Sequence, residues 1–154
     1  FLYNTLANVQ ALTVRDPAAA DRMLTHLIDY LRSAMPAMRS TRSTLGREFT
    51  LAHAYLSIMR FRMGARLDFS AQAPEGLLDC EFPPTVVGTL VENAIKHGLE
   101  PSRGGGRIDL TAHHDGAHLV VECADTGIGF SSSSGSGVGL ANARERLRML
   151  YGPE

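Results

Sequence analysis

Residues Val86 to Gly98 read VVGTLVENAIKHG, and they constrain the fold more tightly than any other stretch of the chain. Val86, Val87, Leu90, Val91 and Ala94 recur at helical spacing and predict one buried stripe. Thr85, Thr89, Glu92, Asn93 and Lys96 fall on the opposite side, again three and four residues apart. Such a stripe is ordinarily a solvated face. Here Asn93 stands in mid-helix although its amide competes for nearby backbone groups. Glu92, Lys96 and His97 flank it with oxygen ligands and cationic donors, a set that suits a metal-bound polyphosphate.

With 154 residues, 44% of them hydrophobic, the chain can bury a real core and reads as one domain plus an appendage. Net charge is −1 with Lys and Arg scattered, so no basic face points to nucleic acid or to a membrane surface. Cys80 and Cys123 lie in apolar-alternating stretches and read as small core residues, not as a disulfide, which fits a reducing compartment. No apolar run is long enough to span a bilayer, so a cytoplasmic piece is expected, whether or not a parent protein is membrane-anchored.

Leu2, Leu6, Val9 and Thr13 mark one face of a first helix that fades at Val14–Arg15. Asp16 is a natural N-cap and Pro17 a natural first residue for a second helix, which Pro36 is expected to stop after Met35. Its stripe is Ala20, Met23, Leu24, Leu27, Ile28 and Leu31. So short a link predicts an antiparallel hairpin, read as a dimerisation element, with a monomeric all-helical subdomain as the alternative. A third helix is expected from about Gly46 to Met63, carrying Leu45, Phe49, Ala52, Leu56, Met59 and Met63 on one side and ending at Gly64. Strands are expected over Arg66–Ser70 and Leu78–Phe82, the second closed by Pro83-Pro84. After the glycines at 104–106, Ile108, Leu110 and Ala112 alternate, Asp115-Gly116 turns, and Leu119, Val121 and Cys123 alternate back.

That hairpin runs into Asp125-Thr126-Gly127-Ile128-Gly129. A carboxylate at a strand end accepts a hydrogen bond from an exocyclic amine such as adenine N6, and glycines let a flat ring approach; a tight turn explains the same five residues. The serine run 131–134 follows, low in complexity, and then Gly135-Ser136-Gly137-Val138-Gly139-Leu140 opens a last helix with Leu140, Ala143, Leu147 and Leu150. Glycines before a helix make a candidate phosphate cradle, because backbone N–H groups and the helix dipole face an anion there. Neither a Walker A loop nor a Rossmann fingerprint is present.

The order of these three features resembles the GHKL superfamily, which includes histidine kinases, gyrase, MutL and the heat-shock chaperone ATPases. Glu92 to Gly98 looks like its N box, Asp125 to Gly129 its G1 box, and Gly135 to Gly139 its G2 box. Phe1-Leu2-Tyr3-Asn4-Thr5-Leu6, Leu90-Val91-Glu92-Asn93, and Gly139-Leu140 with Asn142, Arg144 and Arg146-Leu147 resemble the LytS-type sensor histidine kinases. The resemblance implies an α+β fold, a two-layer α/β sandwich of the Bergerat ATP-binding type (residues 41–154, truncated at its C-terminal end). A dimerisation and phosphoacceptor hairpin (residues 1–40) precedes it. ATP and Mg²⁺ are the implied cofactors. Asn93 would ligate the metal, and Lys96 and His97 would face phosphates. Asp125, with Gly127 and Gly129, would read adenine, while Gly137, Gly139 and Leu140 would bend a lid around the triphosphate.

In that family the phosphorylated histidine stands immediately before the first phenylalanine, a position that here precedes Phe1, so these 154 residues alone are expected to be silent. The expected partners are a second copy and a response regulator, LytTR-type regulators included, with no nucleic acid. Thr126 replaces the usual Asn of the G1 box, a swap not expected to abolish binding. Hydrolytic members carry a Glu four residues before the N-box Asn; Thr89 stands there, which favours phosphoryl transfer to a protein side chain over a gyrase-like or MutL-like ATPase. A silent ATP-binding regulatory module is the other alternative. His26 lacks an acidic neighbour at the next position and is not expected to be the acceptor; His53, His113, His114 and His118 read as surface or sheet residues.

Overall fold

The computed structural model describes residues 1–39, 42–129 and 138–152. Helices α1 (Leu2–Arg15) and α2 (Pro17–Arg39) form a hairpin. Asp16 caps the second helix, its Oδ1 accepting the Ala19 N–H at 2.9 Å, and Pro17 takes the first helical position. Contrary to expectation, Pro36 does not stop α2, which runs on to Arg39. A proline withdraws one N–H donor, a loss that a helix held by its earlier turns absorbs near its end.

Val9 of α1, Ala20, Met23 and Leu27 of α2, and Ile58 of α3 (Leu45–Met63) close a small core. Leu2, Leu6, Leu24 and Ile28, which belong to the apolar faces read from the spacing, are exposed in the single chain. Two helices resting on a third cover only the side that faces it. Helix α3 is the element both cores share. Leu45, Phe49, Ala52, Leu56 and Met59 face the main core, and Glu48 and Tyr55 are buried with them, which the apolar spacing did not include. It ends at Gly64, whose φ of 61° is positive and whose N–H bonds the Arg60 carbonyl.

The main sheet has the order β2-β4-β5. Strand β2 (Leu67–Gln72) is parallel to β4 (Gly106–Asp115), and β4 is antiparallel to β5 (His118–Asp125). Asp115 pairs with His118, so the hairpin turns on Gly116-Ala117, one residue later than expected, with Gly116 supplying the positive φ of 58°. The expected strand Leu78–Phe82 shrinks to β3 (Glu81–Phe82), paired with β1 (Ser43–Thr44). The backbone before it serves another purpose: the Leu78 and Cys80 carbonyls each accept an N–H from the start of α3, Gly46 and Leu45 respectively, at 2.9 Å.

Helix α4 (Val86–Asn93) crosses the sheet, and α5 (Val138–Tyr151) packs on α4. Val87, Val91, Ile95 and Leu99 meet Ile108 and Leu110 of β4 and the inner face of α3 in one apolar cluster. The result is the expected α+β two-layer arrangement, helices over one face of a sheet, preceded by the hairpin. Among the described residues no helix is long and apolar enough to cross a membrane. Cys80 and Cys123 are not bonded to each other, and burial pushes the Cys123 thiol up to about 11.

Candidate nucleotide site

Of the apolar stripe read from Val86 to Ala94, Val86, Val87, Val91 and Ala94 are buried, Val87 and Val91 wholly so, and Leu90 is half-buried. Past Asn93 the helix widens into π turns over Ala94–Leu99, where the Glu100 N–H reaches back five residues to the Ile95 carbonyl at 2.8 Å. The spacing argument predicted an ordinary α-helix through Gly98. The wider turns deliver Gly98 to the end of β5, where its carbonyl accepts the Ile128 N–H at 3.1 Å. A β-carbon at Gly98 would stand 2.5 Å from Asp125 Oδ1, so the carboxylate and the helix end meet because this residue is glycine.

Asp125 is exposed at the strand end, and its Oδ1 accepts the Gly127 N–H at 2.9 Å. One oxygen therefore braces the loop, an Asx-type turn, and the carboxylate remains open to solvent for a ligand. Thr126 finishes the β4–β5 ladder: its N–H donates to the Arg107 carbonyl at 3.0 Å and its Oγ1 accepts the Arg107 N–H at 2.9 Å. The residue in place of the more usual Asn is thus committed to the sheet edge. Gly129 has open space around it and a φ of 73°.

At the other end of the π segment lies Asn93, half-buried, with Nδ2 sealed from solvent and, among the described residues, without a hydrogen-bond partner. A buried amide left unpaired costs about 1–3 kcal/mol, so this one is poised for a ligand. Gly139, the start of α5, lies directly against it: a β-carbon there would be 3.3 Å from Thr89 Cγ2 and 3.7 Å from Asn93 Nδ2. A cleft of about 160 Å³ opens between Thr85, Thr89, Gly139 and Asn142, a size that suits a phosphate group more than a whole nucleotide. Leu140 is partly exposed beside it, while Gly137 and the serine run 131–134 lie outside the described residues.

Lys96 is exposed and His97 half-buried on the π turns, and among the described residues neither side chain has a hydrogen-bond partner. Glu92 is raised above the usual carboxyl range by burial, against the opposing pull of Lys96. The Phe1 ring sits 5.2 Å from Tyr30 and 5.0 Å from Tyr55, and both tyrosines are raised, by burial first and then by the Glu92 charge. His26 and His53 line a separate groove with Arg60 and Phe69. His113 approaches Glu122 at 3.8 Å. No cluster of three or more His, Cys, Asp or Glu able to hold a metal is found among the described residues. Asn93 offers a single amide oxygen, which fits an ion that keeps most of its ligands as phosphate and water, as Mg²⁺ does.

Glu48 escaped the sequence reading, and Arg146 entered it only as part of a family resemblance, without a role. Glu48 is 1% exposed, and burial raises its pKa, opposed by the Ser43 hydroxyl, the Thr85 and Val87 amides and the Arg146 charge. These groups lean on the carboxylate without fully bonding it, since among the described residues Glu48 Oε2 and Ser43 Oγ both lack a hydrogen-bond partner of good geometry. Arg146 of α5 donates to the Pro84 carbonyl at 2.7 Å and to Thr85 Oγ1 at 2.8 Å. A charge between Leu45 and Ala52 on an otherwise apolar helix face was the available signal for Glu48.

Residues 1–67 match the family model described as histidine kinase, and residues 79–154 match the one described as histidine kinase-, DNA gyrase B-, and HSP90-like ATPase. The sensor protein LytS of Staphylococcus haemolyticus (strain JCSC1435) is 33% identical over 129 residues, 84% of this chain and 22% of that protein. The sensor histidine kinase BtsS of Escherichia coli (strain K12) is 32% identical over 125 residues, 81% of this chain and 22% of that protein. YwpD of Bacillus subtilis (strain 168) is 33% identical over 165 residues, all of this chain and 59% of that protein. The chain thus spans about a fifth of the length of the LytS and BtsS relatives. The N-terminal hairpin, the α+β domain and the polar end of α4 are therefore those of the histidine kinase family, and the chain belongs to it, with a C-terminal ATP-binding domain of the gyrase and HSP90 type.

Proposed function

We propose that the chain is the core of a LytS-type sensor histidine kinase in a two-component system. It would bind Mg²⁺-ATP and pass the γ-phosphoryl to a histidine immediately before Phe1, and from there to a response regulator such as the LytTR type. Residues 1–40 would form the dimerisation and phosphoacceptor hairpin and residues 41–154 the catalytic domain, the parent protein being a membrane-anchored sensor. The observation that carries this reading is the orphaned Asn93 amide with Gly139 directly against it, on a helix whose far end meets Asp125.

In this reading Asp125 accepts the adenine amine with the carboxylate that its bond to Gly127 leaves solvent-exposed. Gly127 shapes that loop, Gly129 leaves room beside it, and Leu140 flanks the phosphate end. Lys96 and His97 offer cationic and N–H groups to the phosphates, and Gly137 and Gly139 keep the lid backbone close to them. Asn93 would hold Mg²⁺, which neutralises charge on the β- and γ-phosphates when bound. Positioning does most of the remaining work, since phosphoryl transfer asks for little covalent help. Thr89 donates its hydroxyl to the Thr85 carbonyl at 2.8 Å, inside the helix, and it has no basic group with which to activate water. That disfavours the hydrolase alternative.

The exposed Leu2, Leu6, Leu24 and Ile28 support a second copy packed on the hairpin. The deciding experiment is autophosphorylation of the full-length protein with labelled ATP and Mg²⁺. Acid-labile label that Asn93→Ala abolishes is expected. ATP binding without any labelling would replace the kinase by a silent regulatory module.

A further inference from the structure

On the proposal that ATP binds between α4 and α5, the contacts of α5 point to a residue outside the three boxes. Gly139, Ala143 and Arg146 recur four and three residues apart and form the face of α5 turned towards α4. Gly139 lies against Thr89 and Asn93, Ala143 is 9% exposed, and Arg146 reaches Pro84 and Thr85. The two helices therefore run antiparallel, and polar anchoring of α5 to α4 is concentrated at the Arg146 end. Sliding α5 by one helical turn would break both Arg146 bonds and carry Gly139 roughly 5 Å from Asn93.

Arg146 also meets a prepared seat. Among the described residues Thr85 is the one non-glycine at positive φ, 69°, an unfavourable conformation for a β-branched residue. Held there, it presents its hydroxyl, and Pro84 its carbonyl, to the same guanidinium nitrogen. Behind that seat lies the buried Glu48 carboxylate, whose charge faces Arg146 and whose Oε2 is unpartnered. Three separate elements, α3, the start of α4 and α5, thus converge on one guanidinium.

We propose that Arg146 is a positioning residue: it fixes the register of α5 on α4 and so holds Gly139 over Asn93, where the triphosphate end of the nucleotide is gripped. It acts on phosphates through Gly139, leaving adenine recognition at Asp125 untouched. A specific asymmetry follows. Loss of Arg146 should cost affinity for ATP and spare affinity for adenosine.

The test uses the full-length protein and two readouts. Arg146→Met should weaken ATP binding by roughly tenfold in calorimetry while adenosine binding stays within about twofold. Arg146→Lys, which keeps one donor, should fall between. Thr85→Ala should reproduce part of the ATP loss and Thr85→Ser should not, since both carry the same backbone strain and differ in the hydroxyl. Independently of any ligand, hydrogen exchange of Arg146→Met should be faster in the first turns of α5, with β4 and β5 unchanged. If ATP and adenosine weaken equally, or α5 keeps its protection, the positioning role is overturned. If the wild-type protein binds neither ligand while exchange still quickens in α5, the site reading fails and the register role stands.

Discussion

Gly127 lies so close to Gly98 that a β-carbon at position 127 would stand 2.3 Å from the Gly98 carbonyl carbon. The loop that carries Asp125 and the helix that carries Asn93 are welded at this contact, backbone against backbone. Gly127→Ala should therefore cost about 1–3 kcal/mol of stability by overpacking. Gly129→Ala, where space is open and only the φ of 73° resists, should cost about 1 kcal/mol. Urea denaturation of the two variants checks the order; equal losses would mean that the loop yields at Gly98.

Asp125→Asn is a clean probe of base recognition. The amide oxygen can still accept the Gly127 N–H, so the loop should survive and the change should fall on the ligand. A charge-assisted acceptor is lost, an effect on the order of 1.5–3 kcal/mol in ATP affinity. GTP, which presents a carbonyl where ATP presents an amine, should bind the wild type far more weakly. Calorimetry showing equal ATP and GTP affinities would remove Asp125 from the site.

The hairpin gives two substitutions with opposite outcomes. Leu27 is 4% exposed and belongs to the core shared with Ile58, so Leu27→Glu should unfold the hairpin. Ile28 is 47% exposed on the uncovered side, so Ile28→Glu should leave the circular dichroism intact and dissociate a dimer. Light scattering with melting curves separates the two. A wild-type protein that is monomeric at every concentration would count against the exposed face as a self-association surface.

The pH dependence of Glu48 has a definite sign. Burial raises its folded-state pKa above the ordinary 4.5, so it favours the folded protein when protonated, and that contribution fades as pH rises through the raised value. Glu48→Gln should gain stability relative to wild type on going from about pH 4 to about pH 8, because the wild type alone must then hold a buried charge. Urea unfolding at several pH values reads the difference. A constant difference across that window would mean that Arg146 and the neighbouring amides compensate the charge fully.

Periodicity made most of the helices legible, because a buried stripe leaves a direct mark on sequence, as in Val86, Val87 and Val91. The same argument places Leu24 and Ile28 on an apolar face, and both are exposed in the single chain, since spacing shows that a face is apolar and not which element covers it. Leu78–Phe82 alternates like a strand, yet the carbonyls of Leu78 and Cys80 are taken by the start of α3, a long-range choice that no local pattern records. At the proposed site, Asn93, Asp125, Gly127, Gly129 and Gly139 stand out in the sequence because the patterns that single them out are local. The contacts of Arg146 with Pro84 and Thr85 and the burial of Glu48 do not, because each depends on partners dozens of residues away.

The π turns at Ala94–Leu99 make this segment sensitive to counting. Five-residue hydrogen bonding fits extra chain into a given length of helix, so the segment behaves as an α-helix with a residue inserted. Deleting one residue of the π segment ahead of Gly98, Ile95 for instance, would let the helix relax to ordinary pitch. Gly98 would then rotate by about 100° away from Gly127, and its carbonyl would no longer meet Ile128. Conservative point changes on the exposed side of this stretch should be tolerated, whereas a gain or loss of a single residue should disconnect the two halves of the site.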